Sequence, residues 1–381
     1  MGTAYTPGLK VSPNTRIAKQ RRLPLKGTVL VKVGDRVAPD TIVARTELPG
    51  AMQTLKLAEQ LGVEPGDLPG VLRVAVGDTV KKGDLLAQTK GLFGLFKADV
   101  KAPVSGTIEM LSEQTGHLGL RLPPTPVEKD AYIEGAITQV LPDEGVVVEC
   151  QGALVQGIFG VGGERQGKIA AVCQGPDEPL TEHLITDRHH GCVLVGGASV
   201  TPGALRRAAE AGVVGIVVGG IVDRHLIEYL REVMREPTFD IGVAITGHEP
   251  IAFTIVVTEG FGAIRMAGRT FELLASLEGR SASINGATQI RAGVIRPEVI
   301  APATSPTADT AGAPSSSILD ISTPIRIIRE PYFGALGKVT ALPPELQQVQ
   351  SETHVRVLSA LLDDGRTVTV PRANVEIIEL R

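Results

Sequence analysis

The chain has 381 residues, 43% of them hydrophobic, which is enough for about two to four ordinary domains with filled cores. A net charge of −4 argues against a broad phosphate-binding surface, and 3% aromatics with no Trp leave little for bases or sugars to stack on. Cys150, Cys173 and Cys192 have no CxxC spacing and read as small buried residues in a reducing compartment, so a soluble, cytoplasmic protein is expected. Met1 to Pro24 reads as an N-terminal arm, with Lys10, Arg16, Lys19, Arg21 and Arg22 but no apolar stretch of a signal peptide. No run reaches the ~18–20 apolar residues of a membrane span.

Residues 25–167 read as a β domain. Val74-Ala-Val-Gly-Asp-Thr-Val-Lys-Lys-Gly-Asp-Leu-Leu-Ala87 spells strand, turn, strand, turn, strand, because Gly-Asp pairs supply the conformations tight turns need. Leu25-Lys-Gly-Thr-Val-Leu-Val-Lys-Val-Gly-Asp-Arg-Val37 echoes it, a weak internal repeat of the kind expected from two similar half-barrels. Between the copies, Met52 to Leu68 reads as a helix plus turn on Leu55, Leu57, Leu61 and Val63. Ala131 to Glu149 continues the β style.

Residues 168–300 change to an alternating α/β rhythm. Cys192 to Gly197 is a strand. A helix follows with Thr201 as N-cap, Pro202 at its first position and Gly212 beyond its end. Val213 to Val218 is apolar on both faces, as a central parallel strand is. Asp223 to Arg235 is a helix, Ile241–Ile245 and Phe253–Val257 are strands, and a further helix ends at Gly279. Residues 301–323 are a linker rich in Ala, Pro, Ser and Thr, expected to be flexible. Residues 324–381 form a last small β unit.

Lys101-Ala-Pro-Val-Ser-Gly-Thr-Ile-Glu109 resembles the biotin- and lipoyl-carrier domains, whose fold is the barrel-sandwich hybrid. That family presents a modifiable lysine on a hairpin, which here reads Lys90-Gly-Leu-Phe-Gly-Leu-Phe-Lys97 without the Met-Lys-Met or Asp-Lys-Ala wording. The resemblance implies the shape without the covalent chemistry. Ile325-Arg-Ile-Ile-Arg-Glu-Pro-Tyr-Phe-Gly-Ala-Leu-Gly-Lys-Val339 resembles the KOW motif, which implies an SH3-like barrel over 324–381, with Gly334 and Gly337 at its bends. Cys192 to His225 resembles the swivelling β/β/α domain of phosphoenolpyruvate-using phosphotransferases. That family carries phosphate on a His four places after the second Gly; here Arg224 stands there and His225 comes one place later. The shift turns the imidazole roughly 100° around a helix. The fold class expected is therefore multidomain α+β.

Gly162-Gly-Glu-Arg-Gln-Gly-Lys168 has the letters of a P-loop, but Ile169 replaces its hydroxyl and the following residues read as strand, so a turn is the better account. Asp187-Arg-His-His190 pairs two histidines, and adjacent residues of a strand face opposite ways; with His183 and His248 lacking ligand spacing, no metal is expected. Thr258, Glu259, Gly260 and Gly262 follow a strand, where α/β sheets bind ligands, and with Gly219 and Gly220 are candidates to hold a ligand or anion. His225 is a weak catalytic candidate. Leu92, Phe93, Leu95 and Phe96 on the hairpin are candidate partner contacts.

No complete set of reactive groups emerges and no cofactor is expected. The leading reading is a non-enzymatic scaffold or self-assembling subunit that contacts other proteins or copies of itself. A KOW-type RNA, ribosome or RNA polymerase factor is the second, although residues 325–381 hold seven Lys/Arg against seven Asp/Glu. Phosphohistidine transfer or small-ligand binding in the α/β region is the third, and a carrier role the fourth.

Overall fold

A computed structural model describes residues 9–89, 98–236, 247, 249–289, 295–303, 319–327, 331–332, 335–348 and 354–377. The chain opens with β1 (Val11–Arg22), β2 (Thr28–Val29), β3 (Arg36–Val37) and β4 (Ile42–Leu48). A second set follows: β5 (Met52–Lys56), α1 (Leu57–Leu61), α2 (Leu68–Val71), β6 (Thr79–Val80), β7 (Leu85–Gln88), β8 (Asp99–Lys101), β9 (Gly106–Ser112) and β10 (His117–Arg121). The chain returns through β11 (Thr125–Asp130), β12 (Gly135–Leu141) and β13 (Gly145–Gln156).

β11 pairs with β4, Thr125 against Leu48. Residues 49–124 therefore sit as the tip of a hairpin that has grown into a folded unit. Among the described residues its sheet, β5-β10-β9-β6, takes no strand from outside. Its core of Leu55, Leu57, Leu68, Leu86, Ile108 and Leu118 shares no residue with the surrounding core of Val43, Ile133, Ile137, Val146 and Val148. The two crossings of the neck lie side by side: Leu122 N donates to Ala51 O at 2.9 Å and Arg121 Nη1 to Gly50 O at 2.9 Å. A Cβ on Gly50 would sit 2.0 Å from Leu122 O, so only glycine lets them approach this closely.

The sequence repeat is a repeat of hydrogen bonds. Lys32 N donates to Asp35 Oδ2 at 2.9 Å, Ala75 N to Asp78 Oδ2 at 2.7 Å and Lys81 N to Asp84 Oδ2 at 2.8 Å, each across a turn with glycine at positive φ. Gly34 N donates to Ile137 O and Ile137 N to Asp35 O, at 2.8 and 2.9 Å; Gly77, Asp78 and Ile108 repeat both bonds at 2.7 and 2.8 Å. Beside them Val37 faces Gly135 just as Val80 faces Gly106. The copies thus belong to two units, one inside the other, rather than to two halves of one. Met52–Lys56 departs from the expected helix: pairing with β10 imposes extended backbone, and the helix begins only at Leu57.

Next come β14 (Phe159–Val161), β15 (Arg165–Ala171), β16 (Cys192–Val195), α3 (Pro202–Glu210), β17 (Gly215–Ile221), α4 (Asp223–Met234), β18 (Thr254–Phe261), α5 (Gly268–Ser276), β19 (Ser281–Asn285) and β20 (Glu298–Pro302). An 11-stranded sheet runs β14-β18-β17-β16-β15-β19-β20-β13-β12-β3, with β1 also on β13. β15 to β18 are parallel in chain order. β13 joins the regions: β1 pairs with it from Gly145 to Val155, while β12 takes Gly145–Glu149 and β20 takes Gly152–Gln156. Residues 11–22 of the expected arm therefore form a strand, the expected boundary at 167 falls inside β15, and the linker's first residues, Ala301 and Pro302, belong to β20.

Thr201 Oγ1 accepts from Ala204 N at 3.1 Å and caps α3, whose Ala204, Leu205 and Ala208 are buried. α4 ends at Arg235 in the left-handed region. The expected strand Ile241–Ile245 and His248 lie outside the described residues. Among the described residues no helix is long and apolar enough to cross a membrane.

The last unit holds β21 (Pro324–Ile327), β22 (Leu336–Ala341), β23 (Leu346–Gln348), β24 (His354–Leu362), β25 (Thr367–Pro371) and β26 (Val375–Ile377). Among the described residues they pair only with one another, around Ile325, Val339, Leu358, Ala360 and Val368. Gly334 is outside the described residues. A Cβ on Gly337 would meet Leu361 O at 2.4 Å, so glycine there admits the neighbouring strand. The molecule is mainly β, with several sheets and an α/β stretch embedded in the largest.

Candidate functional site at the carboxyl edge of the parallel strands

The ends of β15 to β18 form the edge where a parallel sheet usually takes its ligand. Here the chain itself crosses that edge twice. After β15, residues 174–180 pass over the end of β16: Ala198 N donates to Glu178 O at 3.0 Å and Leu180 N to Ser199 O at 2.7 Å. A Cβ on Gly197 would lie 2.3 Å from Glu178 O. After β18, residues 262–266 pass over the end of β17. Cβ atoms on Gly219 and Gly220 would lie 2.4 Å from Ile264 O and 2.2 Å from Gly262 O. Gly197, Gly219 and Gly220 all make room for backbone. Gly262 N is used as well, donating to Ile221 O at 2.8 Å, while Gly260 and Gly262 adopt φ of 154° and 115°.

Thr258 and Glu259 lie within β18, which extends past the expected end at Val257. Glu259 is only 4% exposed. Its Oε1 accepts from Ala267 N at 3.0 Å and lies 3.2 Å from Thr258 Oγ1, which also reaches Val218 O at 3.3 Å. Its Oε2 is paired with Nη2 of Arg326, from β21 of the last unit. Arg326 Nη1 donates to Thr258 O at 3.1 Å, and Arg326 is 6% exposed. The carboxylate is thus turned inward and neutralised by a guanidinium from another part of the chain.

Sequence reasoning does not single out Arg326. The available signal is Ile325-Arg-Ile327, where flanking isoleucines are buried in the last unit's core. Alternation then aims Arg326 off the other face of that strand, where a charge stays dry only against a partner.

His225 is half-buried in the first turn of α4; its backbone N–H donates to Val222 O at 3.0 Å and its side-chain Nδ1 is buried without a hydrogen-bond partner. No hydrogen bond or ion pair among the described residues joins it to Glu259. Asp187–His189 is a 3-10 turn rather than a strand, and His189 Nδ1 accepts from Thr186 N at 3.1 Å as part of a capping box. Among the described residues no group of three or more His, Cys, Asp or Glu is placed to hold a metal. Gly162 opens a turn at φ 84°, and Lys168 lies in β15, away from any helix start. The hairpin residues Leu92, Phe93, Leu95 and Phe96 lie outside the described residues. Burial raises the thiols of Cys150 and Cys173 to about 11, which leaves them protonated and weakly nucleophilic.

No family model matches the chain, and no curated protein matches it.

A second buried cluster is also absent from the sequence reading. Arg21 of β1, 4% exposed, binds Glu164 at 2.6 Å and Asp130 at 2.6 Å, and stacks 5.2 Å from the centre of the Tyr132 ring. Tyr132 is held at φ 66°, with its hydroxyl 3.4 Å from Glu298, which also pairs with Lys19 at 2.5 Å. Every charge in the cluster has a counter-charge. Burial opposes the charge on Arg21, but hydrogen bonds and the fields of Glu164 and Asp130 prevail and raise its pKa. Burial likewise pushes Glu164 up, yet Arg21 and, to a smaller extent, Lys129 together outweigh it and hold the carboxyl below its usual range.

Proposed function

We propose that the chain is a non-enzymatic scaffold or self-assembling subunit that works through the surfaces of its β units. In this reading the two nested units are both of the barrel-sandwich hybrid type, related to carriers in shape and lacking their lysine hairpin. The embedded α/β stretch is a swivelling-type domain without its phosphohistidine, and the last unit is an SH3-like barrel of the KOW kind. One observation carries the reading: the edge where a ligand would sit is spanned by the chain's own backbone, with Glu259 spent on Arg326. Modules with no open reactive cluster act by contact.

The test is sedimentation velocity of the native protein over a hundredfold concentration range, with co-purifying proteins identified by mass spectrometry. A concentration-dependent assembly or a stoichiometric protein partner is expected. A monomer at every concentration, without a partner and with acid-labile phosphate on His225 after incubation with phosphoenolpyruvate, would replace this reading with phosphotransfer.

A further inference from the structure

The seam between the last unit and the α/β stretch is built like a plug in a socket. The socket is Glu259 with the carbonyl of Thr258, and the plug is Arg326. Among the described residues no strand of the last unit pairs with a strand outside it, and its core is its own. The unit is therefore held by side chains and by its tether, without a shared sheet. Ala303 is fixed on β13 by its N–H to Gln151 O at 2.7 Å, and Leu319 packs against the last unit's core. The stretch between those two residues can span up to roughly 50 Å when extended.

A second copy of the chain presents the same socket. Docking into it makes the same contacts as docking at home, so the choice is decided by local concentration rather than by new interactions. We propose that the last unit is an exchangeable module, and that two copies associate when Arg326 of one enters the Glu259 socket of the other. This inference rests on the self-assembly reading above and names its partner as a second copy. At home, the tether supplies an effective concentration on the order of 1 mM, so isolated copies at micromolar concentration stay closed. Exchange takes over when copies are crowded or held side by side by another contact.

The test removes the competition at home. Full-length Glu259→Ala has a plug whose home socket keeps only the Thr258 carbonyl, and full-length Arg326→Ala has an intact socket without a plug. Each alone lacks the Arg326–Glu259 ion pair, whereas an equimolar mixture has one plug and one intact socket in different chains. At about 1 mM total chain, the mixture should give a 1:1 heterodimer in sedimentation velocity and native mass spectrometry, at least tenfold above the dimer in either variant alone. A mixture with no more dimer than its components overturns the proposal.

If circular dichroism shows that either alanine variant does not fold, Glu259→Gln and Arg326→Gln replace them. Wild-type copies provide an independent measurement. Isotope-labelled and unlabelled chains are mixed at the same concentration and coupled at zero length. Crosslinks from residues 319–377 of one isotope to 165–285 of the other are expected, and same-isotope crosslinks alone refute exchange. Assembly of the wild type without pairing of the variants would place self-association on other surfaces. Pairing of the variants and mixed-isotope crosslinks in the crowded wild type, with no assembly and no protein partner of the native protein in the concentration series above, would keep the socket and sink the scaffold reading.

Discussion

At the scale of single residues, this molecule's charges are spent on holding its parts together. Removing Arg21 leaves the half-buried Glu164 with only Lys129, 3.7 Å away, so Arg21→Ala is expected to cost about 1–3 kcal/mol, read as a lower urea midpoint. The pH dependence follows from the depressed Glu164. A carboxyl held below its ordinary range stabilises the fold above its unfolded pKa, and that contribution disappears as pH falls through the folded value. The gap between wild type and Arg21→Ala should therefore be full at neutral pH and shrink under acid conditions below the usual carboxylate range. Glu259 and Arg326 should behave as a unit, the double alanine variant losing clearly less than the sum of the singles. Position 259 is legible in sequence as the end of an apolar strand. Its partner lies 67 residues away, and no local pattern encodes a pairing at that distance.

At the scale of elements, glycines mark where one segment runs over another. Gly219→Ala forces a methyl within 2.4 Å of Ile264 O and Met266 N and is expected to cost roughly 1–3 kcal/mol. Gly175 is the control, since a methyl added there would have nothing within 4 Å. Gly175→Ala should stay within about 0.5 kcal/mol in the same thermal melt. The Gly-Asp turns are readable from sequence because their chemistry is local, a side chain bonding a backbone N–H three residues back. The capped start of α3 is readable for the same reason. Met52–Lys56 misleads because Leu55, Leu57 and Leu61 fit a helical stripe, whereas the deciding contact is the distant β10. Gly219 and Gly220 read as ligand candidates, since sequence distinguishes a need for space from a need for a ligand only when the crossing segment is known.

At the scale of the molecule, the main surprise is nesting. The repeat near residues 25–37 and 74–87 is visible in sequence, but its meaning depends on which later strand each turn meets: Ile137 for one, Ile108 for the other. Those choices are long-range, so the sequence leaves open whether one unit or two is present. Two separate cores lead to a direct prediction. A chain in which residues 50–123 are replaced by a short hairpin turn should keep the surrounding unit, with the Tyr132 and Arg21 cluster intact. It should show one cooperative urea transition for the 11-stranded sheet, and loss of that transition would mean the inner unit is needed to fold the outer one.

Gly50 and Leu122 bring the entry and exit of the inner unit into backbone contact. The host therefore registers only a pair of neighbouring ends, whatever is strung between them. That makes this point on the chain a natural grafting port. An unrelated cargo whose own termini emerge a strand's width apart can ride there, while the host closes beneath it as it does now.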